Sequence, residues 1–178
     1  MSLQKRLLIG IGLILIVFFG ALEYHSYHSI RQAGLQSLQQ QADRVYAFIM
    51  SMRRIYQAQF LKSGLALSDK TVGFLPAHAL NRISEDYAAN WDLSGFSFNT
   101  VSDRPRNPKQ GADTEELKAM AHFRANREET LYFQPVTPTG EEAYYLYARP
   151  LWVEKTCLRC HGDAEDAPPS IKGAYQRW

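Results

Sequence analysis

Cys157-Leu158-Arg159-Cys160-His161 is the stretch that best indicates how this chain is built and what it holds. Two cysteines separated by two residues and followed directly by a histidine are typical of covalent c-type haem attachment. Each thiol can form a thioether with one haem vinyl group, and the histidine is then placed as the proximal ligand of the iron. The chain of 178 residues contains no other cysteine. The motif therefore predicts one covalently bound haem c.

Three other kinds of site use a Cys-x-x-Cys pair, and the sequence favours none of them. A structural zinc site needs two further ligands, and no second paired motif supplies them. A thioredoxin-like dithiol lies in a βαβ unit, whereas Pro168-Pro169 leaves little room for a helix after the pair. A disulfide across two residues closes too small a loop to add much stability.

Composition and charge exclude several classes of function. The 20 basic residues are spread among 18 acidic ones, which gives a formal charge of +2 and no nucleic-acid signature. The ten Tyr, nine Phe and three Trp suit a large flat cofactor and equally an ordinary core. The sequence contains no catalytic triad, phosphate-binding glycine loop or metalloprotease motif, so we expect no enzymatic activity from this chain itself.

The N-terminal sequence predicts a membrane anchor. Residues 7–22 read LLIGIGLILIVFFGAL, with Lys5 and Arg6 before them. As a helix this run covers roughly 24 Å, slightly less than the hydrocarbon core of a bilayer. The alternative is a cleaved signal peptide, but cleavage after Ala21 needs a small residue where Phe19 stands. With the basic pair on the cytoplasmic side, the rest of the chain is exported, in a bacterium to the periplasm.

A second helix is predicted beyond the anchor. Apolar residues recur there at alternating steps of three and four, over about thirty residues, and the helix is expected to close near Ser63-Gly64. The seam consists of Leu35, Leu38, Ala42, Val45, Ile49, Met52 and Tyr56. Two interpretations stay open: the helix packs against its own domain, or it is a parallel stalk that pairs two subunits above the membrane.

The remaining sequence predicts a mixed α and β domain. Pro76 is placed to begin a helix that ends before Trp91, and Asp113 with Glu116 forms a capping box for a helix to about Asn126. Strands are predicted over 95–101, 130–136 and 143–148, the last two joined by the turn-forming Pro138-Thr139-Gly140. The segment over 104–108 is predicted to be a loop because of its prolines.

Five motifs follow one another along the chain: Arg53-Arg54-Ile55-Tyr56, Arg106-Asn107-Pro108, Tyr147-Ala148-Arg149-Pro150, Cys157-Leu158-Arg159-Cys160-His161-Gly162 and Ala167-Pro168-Pro169. In this order they resemble the PAS-like, c-type haem-binding sensor family found as the periplasmic part of bacterial histidine kinases, diguanylate cyclases and chemotaxis receptors. The resemblance covers residues from about 35 to 175. Only the haem motif is specific by itself.

The resemblance implies an α+β fold with an antiparallel sheet flanked by helices, one haem, and a membrane-proximal helix that transmits a change. The chain is thereby divided into a cytoplasmic N-terminus (1–6), a transmembrane anchor (7–22), a periplasmic stalk helix (23–63) and a PAS-like haem c domain (64–178). Family members usually continue into a further hairpin and often carry a cytoplasmic output domain. The sequence departs from both patterns, so we expect either a shortened sequence or action through a partner.

The second axial position of the iron is left open by the motif, which supplies only His161 as the fifth ligand. The resemblance favours His78 as the sixth ligand, although a solvated His78 would occupy the same helix position. The other candidates are Met52, Met120 and His122, or no protein ligand. Haem propionates are expected to pair with arginine, and the matched motifs favour Arg106 and Arg149 over Arg53, Arg54 and Arg104.

Three classes of function follow from these expectations. The first is a single-pass inner-membrane protein with a periplasmic haem c domain that senses redox state or a small gaseous ligand. The second is an electron-transfer or accessory haem c subunit of a larger membrane complex. The third, a structural membrane protein without haem, requires the Cys-x-x-Cys-His motif to be accidental. A strong sixth ligand favours electron transfer, and an open position favours binding of a small ligand.

Overall fold

The computed structural model describes residues 2–66, 68, 70–91, 95–105, 107–140, 142–155, 157–163 and 165, without the side chains of Ala77, Arg159 and Cys160. The chain divides into two compact units, Met1–Arg44 and Val45–Trp178. Over the described residues the fold is α+β, with a long N-terminal helix followed by further helices and a two-stranded antiparallel sheet. The predicted α+β class is therefore confirmed, while Arg106 and Ala167-Pro168-Pro169 lie outside the described residues.

The first helix, α1, runs without a break over Leu3–Lys62. Within the described part of the chain it is the one helix long and apolar enough to cross a membrane, a test that a signal sequence would also pass. Its large apolar side chains before Leu22 are exposed, as lipid contact requires. The helix ends just before Ser63-Gly64 as predicted, and Gly64 takes a φ of +69° that glycine adopts without steric cost.

Two further helices form where the sequence carries start signals. Helix α2 covers Pro76–Asn90, with the proline at its first position and Trp91 outside it, both as predicted. Helix α3 covers Thr114–Ala125. It begins with the predicted capping box, in which Asp113 and Glu116 each accept the other's backbone N–H at 2.8 Å.

The sheet is the predicted hairpin. Strands β1 (Tyr132–Val136) and β2 (Tyr144–Ala148) are antiparallel, with Tyr132 opposite Ala148. Gly140 in the connection has a φ of +83°, which favours glycine. Helix α3 packs against both strands. The buried apolar residues among those described come from α2, α3 and β1, and are Leu80, Ala119, Phe123 and Val136.

The predicted strand over 95–101 is wrong. Phe96 and Phe98 do lie on one side of an extended segment, but their rings pack against Tyr87 of α2, with centroid separations of 6.1 and 5.7 Å. The Ser84 hydroxyl donates to the Phe98 carbonyl, so α2 occupies the place of a neighbouring strand. The alternation of apolar residues placed Phe96 and Phe98 on one side of the segment, but Phe96 remains exposed, and strand pairing depended on tertiary contacts.

Candidate haem-attachment site

The Cys-x-x-Cys-His motif forms one turn of helix. Helix α4 covers Leu158–His161, and the His161 backbone N–H donates to the Cys157 carbonyl at 2.9 Å. Positions 157, 160 and 161 therefore stand at i, i+3 and i+4, which lie on one face of a helix. This backbone brings the two attachment positions and the ligand position together.

The reactive groups of the motif are accessible where the structure describes them. The Cys157 thiol is half-buried and forms no disulfide, and His161 is exposed. The Cys160 side chain lies outside the described part. A Cβ at Gly162 would overlap the carbonyl oxygen of Leu158, so the residue after the histidine must lack a side chain if the turn is to keep its geometry. The Cys157 thiol, the His161 imidazole and the shared helical face fit covalent haem attachment.

The segment between the sheet and the motif is held by a cation–π contact. Strand β2 ends at Ala148, and Cys157 follows nine residues later. Within that segment the Arg127 guanidinium lies 4.2 Å from the ring centroid of Trp152. Arg127 lies two residues after the end of α3, so the contact connects the segment before the motif to the end of that helix. No local sequence pattern indicates this pair, because the two residues are far apart along the chain.

Arg149 is placed where the hairpin meets α1. Its Nε donates to the Tyr147 hydroxyl at 2.7 Å, and its Nη1 donates to the carbonyl and hydroxyl of Thr130 at 3.2 and 3.3 Å. The guanidinium carbon also lies 5.3 Å from the ring centroid of Tyr46. The predicted propionate partner is thus a half-buried residue that joins strand β2 and Thr130, which lies just before β1, to helix α1.

The candidate sixth ligands have different surroundings. His122 is already engaged, since its Nε2 lies 2.7 Å from the Glu129 carboxylate and its ring packs on Tyr132. His78, on the first turn of α2, is exposed and has no hydrogen-bonded ring partner among the described residues. Neighbouring atoms nevertheless desolvate the ring enough to lower the pKa of His78, which favours the neutral imidazole that binds metals. Met52 and Met120 are half-buried.

No group of three or more His, Cys, Asp or Glu side chains in the described ranges is arranged to hold a metal ion. The structure therefore brings together the motif positions on α4, and it places His78 on a separate helix. Two side-chain contacts that the sequence did not predict are that of Arg127 with Trp152, in the segment before the motif, and that of Tyr46 with Arg149. Gly162 belongs to the Cys157–Gly162 motif, but the sequence does not show that a Cβ at this position would overlap the Leu158 carbonyl.

Residues 31–178 match the model of a protein family described as Tll0287-like. No curated protein and no solved structure matches the chain.

The hydrogen bond from Arg149 to Tyr147 predicts a loss of stability in Tyr147→Phe. A hydrogen bond to a charged group contributes about 1.5–3 kcal/mol, and we expect the lower end because Arg149 is only half-buried. Urea unfolding of the detergent-solubilised chain measures the change.

Tyr145→Phe is the matched control, since Tyr145 lies on the same strand and its hydroxyl makes no hydrogen bond within the described part. Its ring would keep the stacking on Phe133. We expect a change below about 0.5 kcal/mol. Equal losses in the two variants would contradict the role given to the Tyr147 hydroxyl.

Proposed function

Because the chain belongs to the Tll0287-like family, whose members are PAS-like periplasmic haem-binding domains, we propose that it is a membrane-anchored sensor holding one haem c. The sensed quantity is redox state or a small gaseous ligand. The observation that carries the proposal is the helical turn from Cys157 to His161, which aligns both attachment positions and the ligand position. The chain acts as a sensing domain and is not an enzyme in itself.

The chain's own residues have distinct roles in this proposal. Bound haem supplies an iron centre that takes up one electron or a small ligand. Cys157 and Cys160 would hold it through thioethers, and the imidazole of His161 would bind the iron. Arg149 and Arg106 pair with the propionates. The Arg149 guanidinium has five N–H donors, some of which serve Tyr147 and Thr130, so a propionate would share or replace those partners.

His78 is the proposed sixth ligand. Its ring is accessible and has no hydrogen-bonded partner in the described part, and partial desolvation lowers the pKa of His78. His122 is less suited, because binding iron through Nε2 would break its contact with Glu129. Met52 and Met120 remain as the alternatives if His78 stays solvated, as does an iron with no protein ligand on this side.

The proposed location is the bacterial inner membrane, with the haem domain in the periplasm. The apolar part of α1 would cross the bilayer once, and Lys5 and Arg6 would keep residues 1–6 in the cytoplasm. Residues 23–63 are then the periplasmic stalk and residues 64–178 the haem domain. We further propose that two stalks pair in parallel along the seam that includes Leu35 and Leu38.

A second candidate function is electron transfer within a larger membrane complex. The observation that favours it is an exposed apolar surface beside the motif. The exposed fractions are 41% for Leu151, 44% for Trp152, 65% for Val153 and 48% for Leu158. Apolar surface of this kind often marks a protein contact site, and here it lies beside the attachment position.

The attachment proposal predicts that Cys157→Ala with Cys160→Ala abolishes covalent haem. The chain contains no other thiol, so no alternative attachment is available. Haem staining after denaturing electrophoresis, with acid–acetone extraction, measures the bond. His122→Ala is the control that keeps both thiols and should retain covalent haem. Covalent haem in the double variant would contradict the proposal.

Carbon monoxide binding separates the two functions. We expect reduced wild-type protein to bind carbon monoxide slowly, because His78 must first leave the iron, and His78→Ala to bind it rapidly. His122→Ala should behave like wild type, since its ring is engaged with Glu129. Stopped-flow absorption measures the rates. Complete inertness of the wild type would support electron transfer in place of ligand sensing.

The stalk proposal predicts disulfide-linked dimers for Leu35→Cys or Leu38→Cys in membranes under mild oxidation. Gln40→Cys is the control, because position 40 lies on the opposite face of the helix from Leu38. Non-reducing electrophoresis of the full chain measures the product. Absence of dimer at both seam positions would rule out a parallel stalk.

A further inference from the structure

The side-chain amide of Asn81 on α2 is buried, and neither its Nδ2 nor its Oδ1 has a hydrogen-bond partner among the described residues. An unsatisfied buried donor or acceptor costs about 1–3 kcal/mol, and folded proteins contain few of them. An amide in this position therefore calls for a polar partner. Its place on α2 suggests which group that partner is.

Asn81 stands three residues after His78 on the same helix. Residues at i and i+3 are neighbours on a helix surface. Helical side chains generally lean toward the N-terminus of their helix, and His78 lies in that direction from Asn81. The two side chains are thus within reach of one another by helix geometry, although they are not hydrogen-bonded in this structure.

The His78 ring has the complementary requirement. A neutral imidazole has one N–H and one lone pair, so a ring that gives the Nε2 lone pair to a metal has its Nδ1–H left to donate. Metal-bound histidines almost always donate that N–H to a carboxylate, a carbonyl or water. No described residue accepts a hydrogen bond from the His78 ring. The Oδ1 of Asn81 is an acceptor of the required kind one turn away.

We propose that Asn81 positions the second axial ligand: its Oδ1 accepts the Nδ1–H of His78 when Nε2 of His78 binds the haem iron. The inference rests on the proposed function, because it concerns the ligand side of the same iron. The hydrogen bond fixes the tautomer and orientation of the His78 ring and makes the imidazole a better donor to the metal. It also provides a partner for the orphaned carbonyl of Asn81.

Two substitutions in the full-length haem-loaded protein test the proposal. Asn81→Asp keeps an acceptor and adds negative charge, whereas Asn81→Leu keeps the branch at Cγ and removes the acceptor. We expect Asn81→Leu to bind carbon monoxide about tenfold faster than wild type, because His78 is held less firmly. Asn81→Asp should bind it more slowly and have a lower midpoint potential, since an anionic acceptor strengthens imidazole donation to ferric iron.

Repeating both substitutions in the His78→Ala background shows whether Asn81 acts by positioning His78 or only by packing against its own surroundings. If Asn81 acts through His78, its substitutions have no effect on the carbon monoxide rate or the potential in that background. An amide satisfied only by a buried water would give the same change with or without His78, and that result would overturn the proposal.

Haem staining under denaturing conditions distinguishes failure of the proposed function from failure of this inference alone. Wild-type protein without covalent haem would overturn the proposed function and this inference together. Covalent haem with identical spectra in wild type and His78→Ala would overturn the inference alone, because His78 would then not be a ligand. The expected result is that Asn81→Leu raises and Asn81→Asp lowers the rate of carbon monoxide binding. Neither change is expected in the His78→Ala background.

Discussion

The Arg149 guanidinium joins strand β2, the residues just before β1 and helix α1 within the second unit. It hydrogen-bonds to Tyr147 on β2 and to Thr130 just before β1, and it lies over the Tyr46 ring on α1. Because Arg149 directly follows β2, these contacts fix the direction in which the chain leaves the sheet. Cys157 follows eight residues later, with Trp152 held by Arg127 on the way. The turn that carries the motif therefore follows a segment held at two points, at Arg149 and at Trp152.

The exposed apolar side chains before the motif bear on the proposed mode of attachment. Among the described residues, Leu151, Trp152 and Val153 are exposed in the segment that leads to the motif. Thioether bonds would hold a cofactor without a deep preformed pocket, and the flat apolar surface of the cofactor would be available to cover neighbouring side chains. We expect haem binding to stabilise the domain as well.

Local signals in the sequence predicted most of the described elements. Pro76 marked α2, the Asp113–Glu116 capping box marked α3, and Gly140 marked the hairpin, since each acts on backbone atoms within a few residues. The segment around Phe98 was predicted incorrectly because its partner is a helix far away in sequence. The same limit applies to Arg149 with Tyr46, and to the buried amide of Asn81, which only coordinates reveal. The Cys157–His161 motif is a local pattern that the sequence displays directly, whereas the surroundings of His78 depend on tertiary contacts.

The two residues proposed as iron ligands depend on different kinds of information. His161 is placed by one hydrogen-bonded turn, so its proposed role follows from the motif itself. His78 lies on another helix and is exposed to solvent, and the buried amide of Asn81 stands three residues away on that helix. In the proposed haem protein, an exposed ligand would be easier for a small molecule to displace than one enclosed by packing. That exposure supports the proposed sensing of a small ligand, which requires exchange at the sixth position.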